Sequence, residues 1–220
     1  MHMSKILLAD DHGVVRQGLR LLLENAGHQI VAEAENGEKA VALWQEHRPD
    51  IGLLDLDMAG IGGMETLQRI LSRDTHAKVL IFSMHDDNIY ASRAIQSGAR
   101  GYVVKTDAPE TLLKAITQIL RGGRYIAHEL AQHLALERLS PADKPLDRLS
   151  PREFEVFRRI AEGESLSGIS EHLQIGYKTA ANIQTQVRQK LGAQTTGQLV
   201  HLAIRYGVLE KGNNLQVPEE

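Results

Sequence analysis

The sequence predicts two folded units in tandem: a doubly wound α/β unit on a parallel sheet, then a small all-α unit of four helices. Three observations carry that expectation. Short apolar runs ending on polar residues alternate with amphipathic stretches, five of each, over roughly the first 120 residues. The stretch Ser140-Pro141-Ala142-Asp143-Lys144-Pro145 is turn-rich and polar and holds two prolines, the composition of an exposed connection. Beyond it, apolar residues recur only at helical spacing.

In chain order, Lys5-Ile6-Leu7-Leu8-Ala9 reads as a strand ending at Asp10-Asp11. His12 to Ala26 follows as a helix with Val15, Leu19, Leu22 and Leu23 on one face, stopped by Gly27. Ile30-Val31-Ala32 is the second strand, and Gly37 to Glu46 the second helix. Asp50-Ile51-Gly52-Leu53-Leu54-Asp55 is too short for a helix and reads as a strand buried on both faces, with Gly63 to Leu71 as its helix. Val79 to Phe82 ends at Ser83 and precedes a helix from Asn88 to Gln96. Gly101 to Val104 ends at Lys105, and a last helix runs from Pro109 to Leu120.

Right-handed crossovers bring the C-terminal ends of such strands to one edge, where open α/β sheets place their chemistry. Asp10, Asp11, Asp55, Ser83 and Lys105 all fall there. Asp55 alone has a second reading, as a loop-initiating carboxylate that caps local N–H groups. Three converging carboxylates repel unless a cation joins them, and hard oxygen ligands suit Mg²⁺. The cation would neutralise the cluster and clamp a phosphoryl group for in-line attack by a carboxylate, with Ser83 and Lys105 serving the remaining phosphoryl oxygens.

After Gly122-Gly123, the stretch from Tyr125 to Leu139 carries Ile126, Leu130, Leu134 and Leu136, enough for one short amphipathic helix. In Leu149-Ser150-Pro151-Arg152-Glu153-Phe154, Ser150 fits an N-cap, Pro151 the first helical position and Glu153 a capping box, with Leu149 and Phe154 placed as a hydrophobic staple. Further helices are expected around Ile169 to Leu173, from Thr179 to Leu191 and from Leu199 to Ile204, with a tight break at Ile175-Gly176. That is helix-turn-helix spacing. In the third helix, Ala180, Ile183, Val187 and Leu191 face inward, which leaves Lys178, Ala181, Asn182, Thr185 and Gln189 outward. No Asp or Glu lies between Glu171 and Glu210, whereas Lys178, Arg188, Lys190 and Arg205 do, a local footprint for phosphate contact. Pattern alone leaves open whether this unit binds nucleic acid or protein.

Composition narrows the rest. With 42% hydrophobic and 24% charged residues, the chain is expected to fold rather than stay disordered. A net charge of −3 gives no global nucleic-acid signature, so any such surface is local. There is no cysteine, which excludes disulfides and thiolate metal sites. No apolar run approaches the ~20 residues of a membrane helix, and Met1 to Lys5 shows no signal-peptide core, so a cytoplasmic protein without a membrane partner is expected.

The motifs Leu-Ala-Asp-Asp, Leu-Leu-Asp-Leu, Ser-Met-His-Asp-Asp and Gly-Tyr-Val-Val-Lys resemble those of the receiver domain of two-component response regulators, from Lys5 to about Arg121. Leu-Ser-Pro-Arg-Glu, Ala-Glu-Gly, Lys-Thr and Gln-Lys-Leu-Gly over residues 149 to 209 resemble the LuxR-type helix-turn-helix of the NarL/FixJ family. The Gly-Gly-Arg-Tyr-Ile and Leu-Ala-Gln-His-Leu stretches are similar to those of its GacA/UvrY branch. The resemblance implies an α/β doubly wound (βα)5 receiver domain at 4–122, a linker with a short helix at 123–148, a four-helix LuxR-type helix-turn-helix domain at 149–210 and a tail at 211–220. It implies Asp55 as phosphoacceptor, Asp10, Asp11, Asp55 and the Asp57 backbone carbonyl around Mg²⁺, and Ser83 with Tyr102 as a switch pair beside Lys105. It implies DNA contacts from Lys178, Thr179, Ala181, Asn182, Thr185, Arg188, Gln189 and Lys190. The partners implied are a sensor histidine kinase, double-stranded promoter DNA, RNA polymerase and a second copy of the chain in a phosphorylated homodimer.

Several positions depart from the family pattern. Ala59 stands where proline is usual, and Asp57 adds a carboxylate two residues past the acceptor. Leu166-Ser167-Gly168, Gly176, Ala181 and Ile183 replace commonly polar or charged residues, so weak DNA binding by the isolated second unit is expected. Asp55-Leu56-Asp57 is also similar to the DxD of haloacid-dehalogenase phosphatases, although there the motif follows the first strand.

Overall fold

Sixteen or more residues separate each strand from the next, enough in every case for a crossover helix, so neighbouring strands run parallel. The computed structural model describes residues 3–209 except 129, 133, 134 and 136–144. The five strands are β1 (Lys5–Ala9), β2 (Gln29–Ala34), β3 (Ile51–Leu54), β4 (Val79–Ser83) and β5 (Gly101–Val104), all parallel in the order β2-β1-β3-β4-β5. Between and after them come α1 (Gly13–Asn25), α2 (Gly37–His47), α3 (Gly62–Arg73), α4 (Asn88–Gln96) and α5 (Pro109–Leu120).

The helices α1 and α5 cover one face of the sheet: Leu19, Leu23, Leu112, Ile116 and Ile119 pack on Ile6, Leu8, Ile51, Leu53, Leu80 and Val103. Gly52 lies between Ile51 and Leu53 and therefore faces the other way. There a Cβ would meet the Trp44 ring of α2 at 2.8 Å, so α2 lies on the opposite face. Trp44 itself is buried, and its Nε1 donates to Asp74 Oδ2 at 3.2 Å. Side chains buried on both faces explain why these strands read as unbroken apolar runs.

The chain turns at Gly122 with φ +91°, and Tyr125 then lays itself along the sheet instead of starting a helix. Its N–H donates to Arg100 O at 2.9 Å, and its carbonyl accepts from Tyr102 N–H at 3.2 Å. The expected helix is therefore later: residues 128, 130–132 and 135 are helical, with Leu130 buried. Leu134, Leu136 and the stretch from Ser140 to Lys144 lie outside the described residues.

The chain divides into two units between residues 142 and 143. The second opens with a 3-10 turn at Pro145–Arg148 and continues in α6 (Pro151–Ala161), α7 (Leu166–His172), α8 (Tyr177–Leu191) and α9 (Thr196–Arg205). Ser150 caps α6 in a complete capping box: Glu153 N–H donates to Ser150 Oγ at 3.3 Å, and Ser150 N–H donates to Glu153 Oε2 at 2.7 Å. Phe154, Phe157, Ile169, Leu173, Ala180, Val187, Leu199 and Ala203 form its core.

In the turn between α7 and α8, Gln174 holds φ +50°, a left-handed conformation that costs a side-chain-bearing residue about 1 kcal/mol. Gln174→Gly is expected to raise the melting temperature of this unit by the equivalent of about 0.5–1 kcal/mol, because glycine gives back part of the gain as chain entropy. Thermal denaturation followed by circular dichroism checks it; an unchanged or lower midpoint contradicts it.

Candidate functional site

Register places the first two carboxylates together. Ala9 of β1 pairs with Leu54 of β3, and Asp55 N–H donates to Ala9 O at 2.8 Å, so Asp10 and Asp55 leave adjacent strand ends side by side. Both are buried, at 2% and 3% exposure, while Asp11 is half-buried. Ser83 closes β4, fully buried, and its carbonyl accepts from Lys105 N–H at 2.8 Å. From there Lys105 reaches back across the edge, its Nζ 2.7 Å from Asp10 Oδ2 and 2.7 Å from Asp55 Oδ2. The five residues expected at this edge are thus brought to one crevice.

Burial pushes the Asp55 carboxyl above the ordinary range; Lys105 opposes that rise, and Asp10 and Asp57 add to it. Burial works to lower the Lys105 ammonium, but Asp10 and Asp55 more than offset it and hold the lysine above its usual value. One acceptor is left over. Asp55 Oδ1 is buried and has no hydrogen-bond partner, whereas Oδ2 takes the lysine. Donor atoms of Asp10, Asp11, His12 and Asp55 all lie within 4.8 Å of one another. A buried carboxylate oxygen without a donor, amid further carboxylates, suits a hard divalent cation, so these residues fit Mg²⁺.

The loop after Asp55 is held without the usual proline. A Cβ on Gly63 would stand 2.0 Å from the Asp55 carbonyl oxygen, so α3 can begin this close to β3 only with glycine there. The Glu38 carboxylate lies against Gly60, which has φ +84°.

Tyr102 is turned inward and buried, its hydroxyl donating to the His85 carbonyl at 2.8 Å. Burial pushes its phenol well above the ordinary range. His85 ties this part of the site together, a role the sequence reading did not assign. Its N–H donates to Ser83 Oγ at 3.3 Å, its Nε2 lies 2.7 Å from Asp57 Oδ2, and its ring stacks on Tyr90 at 4.4 Å. No periodicity marks His85; only its place two residues past Ser83 does. Asp57 therefore acts on Asp55 through charge and on the Ser83 loop through His85. Asp57→Asn is expected to change the decay rate of an Asp55 phosphoryl group by about threefold, the size of a ~0.7 kcal/mol interaction. Equal decay rates in the two proteins would contradict this.

In the second unit, α8 buries Ala180 and Val187 and half-buries Ile183 and Leu191. Lys178, Thr179, Asn182, Thr185 and Gln189 are exposed on it, Ala181 and Arg188 half-buried. Lys190 is exposed too, but its Nζ lies 2.6 Å from Glu153 Oε2, so it is engaged within the unit. Gly176 offers α8 no side-chain cap, and the helix nevertheless begins two residues ahead of Thr179, at Tyr177, which is 58% exposed.

Burial works to raise the Glu153 carboxyl, but Lys190 and Ser150 outweigh it and hold the group below the ordinary value of 4.5. Its stabilising contribution is complete above pH 4.5 and is lost as pH falls through the lower folded value. Glu153→Gln is accordingly expected to melt lower than wild type at pH 7, by about 1 kcal/mol or less because Lys190 is partly solvated, with the gap closing in acid. Melting both proteins across that range checks the prediction.

Two family descriptions match the chain, response regulator receiver domain at residues 6–117 and bacterial regulatory proteins, luxR family, at residues 147–203. The chain belongs to the two-component response regulators that carry a LuxR-type DNA-binding domain, a family of transcription regulators and not of enzymes. It is 36% identical over 209 residues to response regulator UvrY of Escherichia coli (strain K12), covering 94% of this chain and 96% of that one. To response regulator GacA of Pseudomonas aeruginosa it is 35% identical over 211 residues, covering 94% of this chain and 99% of that one. Among solved structures, RcsB of Salmonella enterica serovar Typhimurium, bound to promoter rprA in the presence of phosphomimetic BeF3⁻, matches with TM-score 0.62 and 26% identity over 91% of this chain and 98% of that one. A LuxR-family response regulator from Aurantimonas sp. SI85-9A1 matches at 41% identity and TM-score 0.59, over 63% of this chain and all of that one. Among the described residues, no helix is long and apolar enough to cross a membrane.

Proposed function

We propose that Asp55 accepts a phosphoryl group from the phosphohistidine of a sensor histidine kinase, and that this favours a homodimer whose second units bind double-stranded promoter DNA. The observation that carries this reading is the difference between the two Asp55 oxygens: Oδ2 is held by Lys105, and Oδ1 is buried with no partner. One Asp55 oxygen attacks phosphorus in line while the other stays toward the cation, the P–N bond of the donor breaks, and its imidazole nitrogen leaves with the electron pair. Asp10, Asp11, Asp55 and the Asp57 carbonyl would hold Mg²⁺, which when bound supplies Lewis-acid charge for the phosphoryl oxygens. Lys105 and the Ser83 hydroxyl serve those oxygens from the opposite side of the crevice. With Ser83 drawn to the phosphoryl group, the His85 loop and Tyr102 move as one packed element, a two-state switch biased by the new charge.

Residues 4–122 act as the receiver, 123–148 as linker and 149–210 as the DNA-binding domain of a cytoplasmic regulator, with 211–220 as a tail. Lys178, Thr179, Ala181, Asn182, Thr185, Arg188 and Gln189 face the major groove, where Asn182 can read an adenine edge and the Ala181 and Thr185 methyls can meet thymine methyls. Lys190 reaches DNA only by leaving Glu153. Support comes from the outward placement of this set on α8 and from the promoter-bound state of the RcsB relative. RNA polymerase is the further partner expected at such a promoter. The test is genome-wide recovery of bound DNA from cells carrying wild type or Asp55→Ala. Specific sites recovered with wild type and depleted in the variant support the reading; identical recovery overturns it.

A further inference from the structure

In the second unit one large side chain goes unused by the packing. Of the five large hydrophobic residues that stand exposed among the described residues, Tyr177 is the one in this unit, at 58% exposure. Among the described residues, no hydrogen bond or ring contact holds it. Tyr177 opens α8 directly after Gly176, where a Cβ would meet nothing nearer than Thr179 Oγ1 at 3.9 Å, so the space beside the ring is open. The Cα–Cβ bond of a helical residue tilts toward the N-terminus, so the ring leans past the end of α8 instead of lying on a preceding turn. Ala181, Gln184 and Arg188 follow at steps of four, three and four residues, which sets all four side chains along one edge of the helix. That edge runs between the buried Ala180 and Val187 and the exposed Lys178, Asn182, Thr185 and Gln189. A helix seated in the major groove turns its outward face to the bases and its edges to the phosphates that wall the groove. A phenol is a neutral donor, and no Asp or Glu lies between Glu171 and Glu210 to repel a phosphate from it.

We infer that the Tyr177 hydroxyl donates a hydrogen bond to a backbone phosphate of bound DNA, at the opposite end of the α8 edge from Arg188. This rests on reading α8 as the helix that enters the groove. Such a contact anchors the N-terminal end of α8 on the duplex and carries no base information of its own. The rival role for the ring is packing on a thymine methyl, a base contact that needs no hydroxyl.

The full-length chain, treated with acetyl phosphate and Mg²⁺, is used to select a duplex from a randomised pool, and the selection is repeated with Tyr177→Ala. Binding of the wild-type-selected duplex and of a scrambled one is then measured by fluorescence anisotropy over a range of salt, for wild type, Tyr177→Phe and Tyr177→Ala. Tyr177→Phe removes one exposed oxygen and keeps the ring, so folding is not at stake. It is expected to bind both duplexes about fivefold more weakly, by the same factor. The slope of log affinity against log salt is expected to stay that of wild type, because a neutral donor releases no counterion. The sequence selected by Tyr177→Ala is expected to match that of wild type. Tyr177→Phe binding like wild type overturns the hydroxyl contact, and a changed selection by Tyr177→Ala gives the ring to a base instead. A loss confined to the selected duplex, or one accompanied by a shallower salt slope, overturns it as well. A wild-type chain that binds neither duplex at low salt overturns the DNA reading of α8 together with Tyr177. Phosphoryl uptake is followed separately by label, so a failure at Asp55 is not mistaken for one at α8.

Discussion

Asp55→Asn is expected to take up no label from acetyl phosphate, and the wild-type chain to be labelled in the presence of Mg²⁺. An asparagine keeps the shape and the Lys105 contact but offers no anionic oxygen to attack phosphorus, so uptake is expected to fall to background. The same substitution has a second, opposite signature in stability. Burial holds the Asp55 carboxyl above its unfolded value of 3.8, so the folded chain is penalised for ionising it at every pH above that value. Asp55→Asn is therefore expected to melt higher than wild type at pH 7, with the advantage disappearing as pH falls below 3.8. Lys105 retains Asp10 as its partner in the variant. A variant that is still labelled sinks the assignment; one that is unlabelled but melts lower sinks only the account of its burial. Groups placed for chemistry at the expense of stability are a common feature of functional sites.

Lys105→Met is expected to produce the largest loss of stability in the receiver. It removes the ammonium that lies 2.7 Å from both buried carboxylates, Asp10 and Asp55, and stripping one partner from a buried ion pair typically costs about 3–5 kcal/mol. The loss is expected in chelator and is partly recovered by millimolar-range Mg²⁺, because a cation that binds only the folded chain stabilises it by mass action. Denaturant titrations with and without Mg²⁺ check both halves. A variant as stable as wild type in chelator would mean that the two carboxylates do not depend on the lysine.

The strands and the residues at their ends were legible because burial on both faces leaves an unbroken apolar run, and the first polar residue after it marks the sheet edge. Asp10, Asp55, Ser83 and Lys105 were found that way. The reach of Lys105 across β4 was not legible: fifty residues separate it from Asp55, and no local pattern encodes that contact. Tyr125 misled because the apolar residues after it have helical spacing, yet its backbone groups gain more by pairing with the sheet at Gly101. Arg158 and Arg159 are buried despite their charge, and nothing local in the sequence marks them as such. Glu155, Glu162 and Glu164 neutralise them along and beyond α6, and the Arg159 guanidinium also meets His172 Nε2 at 2.6 Å. The start of α8 was placed too late because Gly176 lacks the side chain that would have announced it.

Trp44 is the single indole in the chain and sits buried in the first unit, against Gly52 and Asp74. Its emission therefore reports on one half of the molecule, while backbone ellipticity sums over both. An unfolding curve recorded by fluorescence describes the sheet-bearing half alone, and its mismatch with the ellipticity curve measures how independently the helical half melts.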